Sequence, residues 1–425
     1  KQNTNMSCRN CKKNKLQKII KIGKQCISSV FPDNLNHSLK KYSLDLYKCL
    51  NCDLVQFKNT PPLDDMYGKT YGYRTSLSPL MISHIKEKYK YIKSNKIIKK
   101  NSYILDIGSN DGTFLNFFAK EKNSYSLFGI DPSAEKFANY YNKKINLVID
   151  YFSKEKLSSL GSKFDLITSF AMFYDIEDPN KFCSDINSML NKNGVWIVEL
   201  SYFPLLLKNL TYDQICHEHL CYYTLNTFKK IISKNNMKIL DFSLNEINGG
   251  SIEIICAKKK SKYIVKELKI FNQIKKEKNI NNASYHKFNQ RIENTKKVIN
   301  LFLSKIKKKD VIAYGASTKG NIVLNHCGIN KDIIKYICDA NPYKFNKYTP
   351  GTSLKIISKK KMRSMKPKYL LVLIWSFRSE VIKQEINYIK KGGKLIFHLP
   401  IFHIVDKYNY KNYLNSNFES FSYEI

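Results

Sequence analysis

Twice in this chain an apolar strand runs straight into a glycine turn and then into a helical segment. The first unit is Tyr103-Ile-Leu-Asp-Ile-Gly-Ser-Asn-Asp-Gly112, and the second is Val311-Ile-Ala-Tyr-Gly-Ala-Ser-Thr-Lys-Gly-Asn321. Glycine lets such a turn reverse tightly, pass close under a ligand and bring the helix back onto the strand it has left. Units of this kind build parallel sheets, because parallel neighbours need a helical crossover between them. Two of them, set far apart in 425 residues, predict two separate α/β domains.

The apolar pattern around each unit agrees. Leu127–Ile130, Leu147–Ile149, Phe164–Phe170 and Gly194–Leu200 alternate with helical segments, and Met237–Leu244 and Ser251–Ala257 follow, the latter entered through Asn248-Gly249-Gly250. The count predicts a seven-stranded, mainly parallel sheet over residues 101–258, closed by a late hairpin. Residues 61–100 hold a Tyr-rich loop and a helical connector from about Pro79 to Ile97. Residues 259–308 read as a helical linker with solvated faces, its apolar positions being Phe288, Ile292, Val298, Phe302 and Ile306. Val311–Tyr314, Ile333–Cys338, Tyr369–Trp375 and Lys394–His398 predict the second domain over 309–405, and 406–425 is a Tyr/Asn-rich tail.

Residues 1–60 carry Cys8-x-x-Cys11 and Cys49-x-x-Cys52. Four thiolates at this spacing close a tetrahedral Zn²⁺ site and leave no open coordination position, so the expected metal is structural. It would also hold together a segment with little apolar content of its own. Cys26, Cys183, Cys256, Cys327 and Cys338 are expected to be ordinary buried thiols.

The first glycine loop has acidic company. Asp106, Gly108 and Gly112 form D-x-G-x-x-x-G with Ser109 and Asn110 between them; Asp131 ends the next strand and Asp150 the third. A carboxylate at Asp131 suits the two hydroxyls of a ribose, and Asp150 falls where an adenine edge would lie. The loop lacks the G-x-G-x-x-G crowding that a pyrophosphate demands. A cationic nucleoside without phosphate fits better, which points to S-adenosylmethionine. This pattern resembles the class I methyltransferase fold.

Just beyond the fifth strand stands Cys216-His-Glu-His219, followed by Tyr222 and Tyr223. The spacing is not H-E-x-x-H, which excludes a zincin site. His217 and His219 on one face of an extended segment would suit a metal, but Glu218, His219 and Tyr222 beside a methyl donor are better explained by proton abstraction from a carbon acceptor. In the second glycine loop Lys319 is followed by Gly, so it is not a Walker loop; its backbone N–H groups with Ser317, Thr318 and Lys319 suit a pyrophosphate.

Taken in order, the C-x-x-C pairs, Tyr71-Gly72-Tyr73, Asp106–Gly112, Cys216–His219, Tyr314–Asn321 and Cys338–Lys344 resemble the zinc-containing sugar C-methyltransferases, which act on nucleotide-linked keto deoxysugars. The resemblance implies a class I Rossmann-like sheet, an N-terminal zinc module and a C-terminal second Rossmann-like domain. It implies His219 as base with Glu218 and His217 beside it, Tyr73 and Tyr222 in the catalytic site, and Tyr71, Gly315, Ser317, Thr318, Lys319, Asn321 and Asn341 toward the nucleotide-diphosphate sugar. Two positions depart from the tetronitrose-pathway branch: Cys216 replaces a tyrosine, and Asp175 stands where a histidine is expected.

The competing reading is a zinc-bearing RNA-binding protein or RNA methyltransferase, suggested by a net charge of +37. Only five of the 72 basic residues are arginine, however, and lysine and asparagine are spread through every segment. Compositional drift toward Lys and Asn accounts for that, so no nucleic-acid partner is expected. No apolar run approaches the ~20 residues of a membrane span, so no membrane partner is expected either. The absence of an apolar stretch after Lys1, and only 11 cysteines in the chain, suggest a cytoplasmic protein.

Overall fold

The computed structural model describes residues 7–35, 39–62, 66, 74–122, 124–158 and 163–414. Tyr71 and Tyr73 lie outside the described residues.

The N-terminal module contains β1 (Leu16–Ile20), β2 (Lys24–Cys26), β3 (Lys41–Ser43), β4 (Leu46–Cys49) and β5 (Val55–Phe57). Its cysteines sit on two tight knuckles, whose reversals put Lys12 and Asp53 in the left-handed region at φ 59 and 68. The central domain follows with β6 (Tyr103–Ile107), β7 (Ser126–Ile130), β8 (Ile145–Val148), β9 (Phe164–Phe170), β10 (Leu190–Ser201), the short β11 (Cys221–Tyr222), β12 (Met237–Asn245) and β13 (Ser251–Lys258). Seven of these form one sheet in the order β12-β13-β10-β9-β6-β7-β8, parallel except where β13 runs against both neighbours. That is the sheet expected from the strand count, with its late hairpin. β11 leaves it and pairs antiparallel with β5, so the chain just after His219 completes a sheet of the N-terminal module.

The second domain is a six-stranded sheet in the order β16-β15-β14-β17-β18-β19, built from β14 (Val311–Tyr314), β15 (Tyr336–Asp339), β16 (Lys355–Ser358), β17 (Tyr369–Val372), β18 (Lys394–Phe397) and the antiparallel β19 (His403–Val405). Its strand order reverses between β14 and β17, the place where open α/β sheets take ligands.

Four helices matter for the site: α1 (Pro79–Ser94), α2 (Thr113–Ala119), α3 (Asn282–Ser304) and α4 (Thr318–Cys327). The expected helical linker includes α3, whose apolar face is packed while the rest of it is largely exposed. Tyr285, Phe288, Ile292, Ile299 and Leu303 are buried along it, while Val298, expected on that face, is 42% exposed. Asn289 donates to the Ile19 carbonyl at 2.9 Å and Arg291 to the Leu207 carbonyl at 3.0 Å, so α3 ties the module to the central domain. The start of the expected tail is also packed, His403 stacking on Tyr413 at 5.0 Å.

Candidate active site

The two glycine turns are rigid for the same local reason. Gly112 has φ +73 and a Cβ there would come within 2.8 Å of the Tyr141 ring; Gly315 has φ +92 and a Cβ would meet Ile374 at 2.6 Å. Each turn therefore admits only glycine. Beside the first lies a cavity of about 380 Å³ that also reaches the His-Glu-His segment and the start of α4.

Asp106, Gly108, Ser109, Asn110 and Asp131 all face this cavity; Gly112 is not on its wall. Burial pushes the Asp106 carboxyl up to about 7, against the Thr168 hydroxyl that donates to it at 2.6 Å. Asp131 accepts from the Asn110 amide at 2.9 Å and from the Ser133 hydroxyl at 2.5 Å, which locks the loop to the second strand end. Asp150 is not on the cavity wall. It pairs with Lys156 at 2.5 Å, and its successors Tyr151 and Phe152 line the wall instead. Phe114, Phe170, Met81 and Ile85 supply an apolar side.

Sequence reasoning passed over one wall. Glu199 on β10 faces the cavity, held by His84 at 2.9 Å, Lys88 at 2.6 Å and Asn245 at 2.7 Å; Lys88 also pairs with Glu253 on β13. Although burial opposes its ionisation, Lys88 and His84 together hold the Glu199 carboxyl down at about 2. A glutamate in the apolar run Val195–Leu200, and a His and Lys four apart on a helix, were the available signals.

The His-Glu-His segment threads between three units, and its two histidines part company. His217 points into the N-terminal module: Nε2 donates to the Gln25 carbonyl at 3.3 Å, leaving Nδ1 to accept from the Ser28 hydroxyl at 3.2 Å. It is not on the cavity wall. Tyr222 is also turned away, its hydroxyl donating to the Gln214 carbonyl at 3.3 Å. Glu218 and His219 do face the cavity. Burial raises the Glu218 carboxyl, with Ser29 and Cys216 opposing, and holds the His219 imidazolium down to about 3, with Lys319 adding to the effect. His219 is thus a neutral imidazole, packed against the Tyr174 ring at 4.1 Å with the planes tilted by 46°. Asp175 and Cys216 share this wall.

From the second domain, Thr318 and Lys319 reach the same cavity. Ser317 caps α4, accepting from the Gly320 amide at 3.0 Å. Asn321 is buried and donates to the Ser28 carbonyl at 2.7 Å, and Asn341 accepts from the Tyr343 amide at 3.0 Å. The Asn321 bond ties α4 to the N-terminal module, and neither residue is on the cavity wall.

In the N-terminal module the sulfurs of Cys8, Cys11, Cys49 and Cys52 lie within 4.8 Å of one another, with Cys8–Cys52 at 3.4 Å and Cys11–Cys49 at 3.5 Å. Zn–S bonds of about 2.3 Å in a tetrahedron set sulfurs about 3.8 Å apart, so the cage has the right size and is fully occupied by protein ligands. The metal is a structural zinc.

Comparison with known proteins follows the same three parts. A model described as a zinc binding domain matches residues 8–67, a methyltransferase domain matches 82–241, and a C-methyltransferase C-terminal domain matches 246–400. The C-methyltransferase NovU of Streptomyces niveus is 24% identical over 367 residues, which cover 84% of this chain and 86% of that protein. A tRNA U34 carboxymethyltransferase of Campylobacter jejuni (strain RM1221) is 28% identical over 211 residues, 47% of this chain and 68% of that one. Among solved structures, the plantazolicin methyltransferase BpumL in complex with SAH is 18% identical over 42% of this chain and 82% of its own, at a TM-score of 0.34 that carries no weight here. The three domain models follow one another along the chain with little left between them, and the chain belongs to the zinc-containing, S-adenosylmethionine-dependent C-methyltransferases.

Proposed function

We propose that the methyl acceptor is a carbon next to the ketone of a nucleotide-linked keto sugar. One observation carries this: Asp106–Asn110 and Asp131, Glu218 and His219, and Thr318 and Lys319 all line a single cavity. S-adenosylmethionine, when bound, supplies an electrophilic methyl group. Asp131 is positioned for its ribose, Tyr151 and Phe152 for its adenine end, and the acidic wall suits its cationic centre. His219, neutral and buried, accepts the proton α to the ketone, and Glu218 faces the acceptor from the same wall. In the second loop the Gly315 and Ser317 amides are already bonded within the fold, so the diphosphate would meet the start of α4 at Thr318, where the helix N-terminus favours an anion. Holding both substrates in one cavity supplies much of the rate.

The similarity to tRNA U34 carboxymethyltransferases and the net charge favour an RNA acceptor instead. That similarity covers only 47% of this chain, and five arginines among 72 basic residues are few for a surface that reads phosphate backbones. The test is incubation of the chain with ¹³C-methyl S-adenosylmethionine and a panel of nucleotide keto sugars, read by mass and ¹³C spectra. A carbon-bound methyl is expected. An oxygen- or nitrogen-bound methyl, or label found only in added tRNA, would overturn the reading.

A further inference from the structure

The cavity is lopsided in charge. Among the described residues six carboxyl groups line it, Asp106, Asp131, Asp175, Glu177, Glu199 and Glu218, against one ammonium group, that of Lys319. Glu199 is paired with Lys88 and His84, Glu177 lies 3.7 Å from Arg9, and burial raises the Asp106 and Glu218 carboxyls, so the imbalance is smaller than the count. Even so, one lysine on the wall is little for the charge of a pyrophosphate. An enolate is a different case. It is one oxyanion, present only during the reaction, and it needs one donor fixed in advance where the charge develops.

The base makes that need acute. The His219 imidazolium is held down to about 3. So weak a base can take a proton from carbon only when the electrons left behind are strongly stabilised.

Lys319 is held ready for this. Its Nζ donates to Asn248 Oδ1 at 2.8 Å, its one hydrogen bond among the described residues, which leaves two of its three N–H groups for a ligand. Asn248 is fixed in turn: its backbone is left-handed at φ 57, and its carbonyl accepts from the Gln214 side-chain amide. Lys319 sits in the first turn of α4, where the helix dipole adds positive potential. Burial lowers the pKa of the Lys319 ammonium, and Asp213, buried and accepting from Trp375 Nε1 at 2.8 Å, opposes that shift.

We propose that Lys319 is a catalytic residue that donates a hydrogen bond to the acceptor's ketone oxygen and stabilises its enolate, rather than a ligand of the pyrophosphate. This rests on the keto-sugar reading above. His219 takes the α-proton, the C–H electron pair becomes the C=C bond, and the carbonyl π pair moves onto oxygen beside Lys319. When the nucleophilic carbon bonds to the methyl, the S–C pair stays on sulfur and the carbonyl re-forms.

The test uses the full chain with S-adenosylhomocysteine and the panel of keto sugars in D₂O, following α-proton exchange by NMR. Wild type should exchange its best substrate, and Lys319→Met should exchange it about 10²–10³-fold more slowly at saturation. Its affinity for the free nucleoside diphosphate and for S-adenosylhomocysteine should stay unchanged. Lys319→Ala should regain exchange with added ethylammonium, which a positional or phosphate-binding role would not produce. The proposal fails if the Met variant exchanges as fast as wild type. It fails equally if that variant keeps the saturated rate but loses nucleoside diphosphate affinity, for Lys319 is then the phosphate ligand. If the Met and Ala variants do not fold, Lys319→Arg decides: slowed exchange with diphosphate affinity intact supports the role, and the reverse pattern overturns it. A wild-type chain that exchanges no member of the panel defeats the keto-sugar reading itself, a distinguishable result.

Discussion

The two glycine loops share a local design and differ in what surrounds them. Both leave a buried parallel strand, both turn on a glycine whose Cβ would strike a neighbour, and both start a helix. The first, after β6, opens between Asp106 and Asp131. The second, after β14, is closed over by Ile374, has its Ala316 carbonyl taken by Lys344 at 2.7 Å, and offers the cavity only Thr318 and Lys319. A glycine turn therefore fixes where a ligand can approach, and the charges around it decide which ligand that is.

The broadest way to break this comparison is to remove what joins the loops. The His-Glu-His segment is anchored by β11 on β5 and by His217 on Ser28. Cys49→Ser should lose the zinc and unfold the module, since structural zinc supplies about 10–16 kcal/mol to small peptides that fold on it. Methyl transfer should disappear while calorimetric binding of S-adenosylmethionine to the first loop persists; loss of both together would mean the loops are not separable. Next, Lys88→Met leaves Glu199 and Glu253 without their shared cation, and chemical denaturation should show about 3–5 kcal/mol lost. A loss under 1 kcal/mol would mean that water already reaches this wall. Asp131→Ala should weaken S-adenosylmethionine by about 1–3 kcal/mol through lost charge-assisted bonds. Nucleoside diphosphate affinity, proposed for the second loop, should not change.

The smallest effect concerns pH. Burial holds His217 down to about 4 and His219 down to about 3, both below the usual value near 6.5. The unfolded chain then binds more protons, so stability is complete above about pH 6.5 and falls as pH drops toward 4. His398 and His403 are held down in the same way, to about 3 and about 4, so His217→Gln should reduce but not abolish the slope of melting temperature against pH in that window. An unchanged slope would place the titration elsewhere.

Much of this was readable in advance. β9 has the bounds read from its apolar run, and β12 and β13 exceed theirs by one residue, because a buried sheet imposes a strong local pattern. The acids of the first loop were legible for the same reason: strand ends in such a sheet point to the ligand. Three features were not. Cys221 and Tyr222 become a strand only by pairing with β5, a contact made across the chain. Val298 and Ile299 are both apolar, and which one faces inward depends on how α3 lies against its neighbours. His217 and His219 look alike in sequence, yet one meets Ser28 and the other the cavity.

The central claim is that His219 removes the acceptor's α-proton. The direct measurement gives wild type and His219→Ala the methylated keto sugar's precursor with S-adenosylhomocysteine in D₂O and follows loss of the α-proton signal. Wild type should exchange, and the variant should bind both ligands normally yet exchange about 10²–10⁴-fold more slowly. Exchange at the wild-type rate in the variant would contradict the assignment.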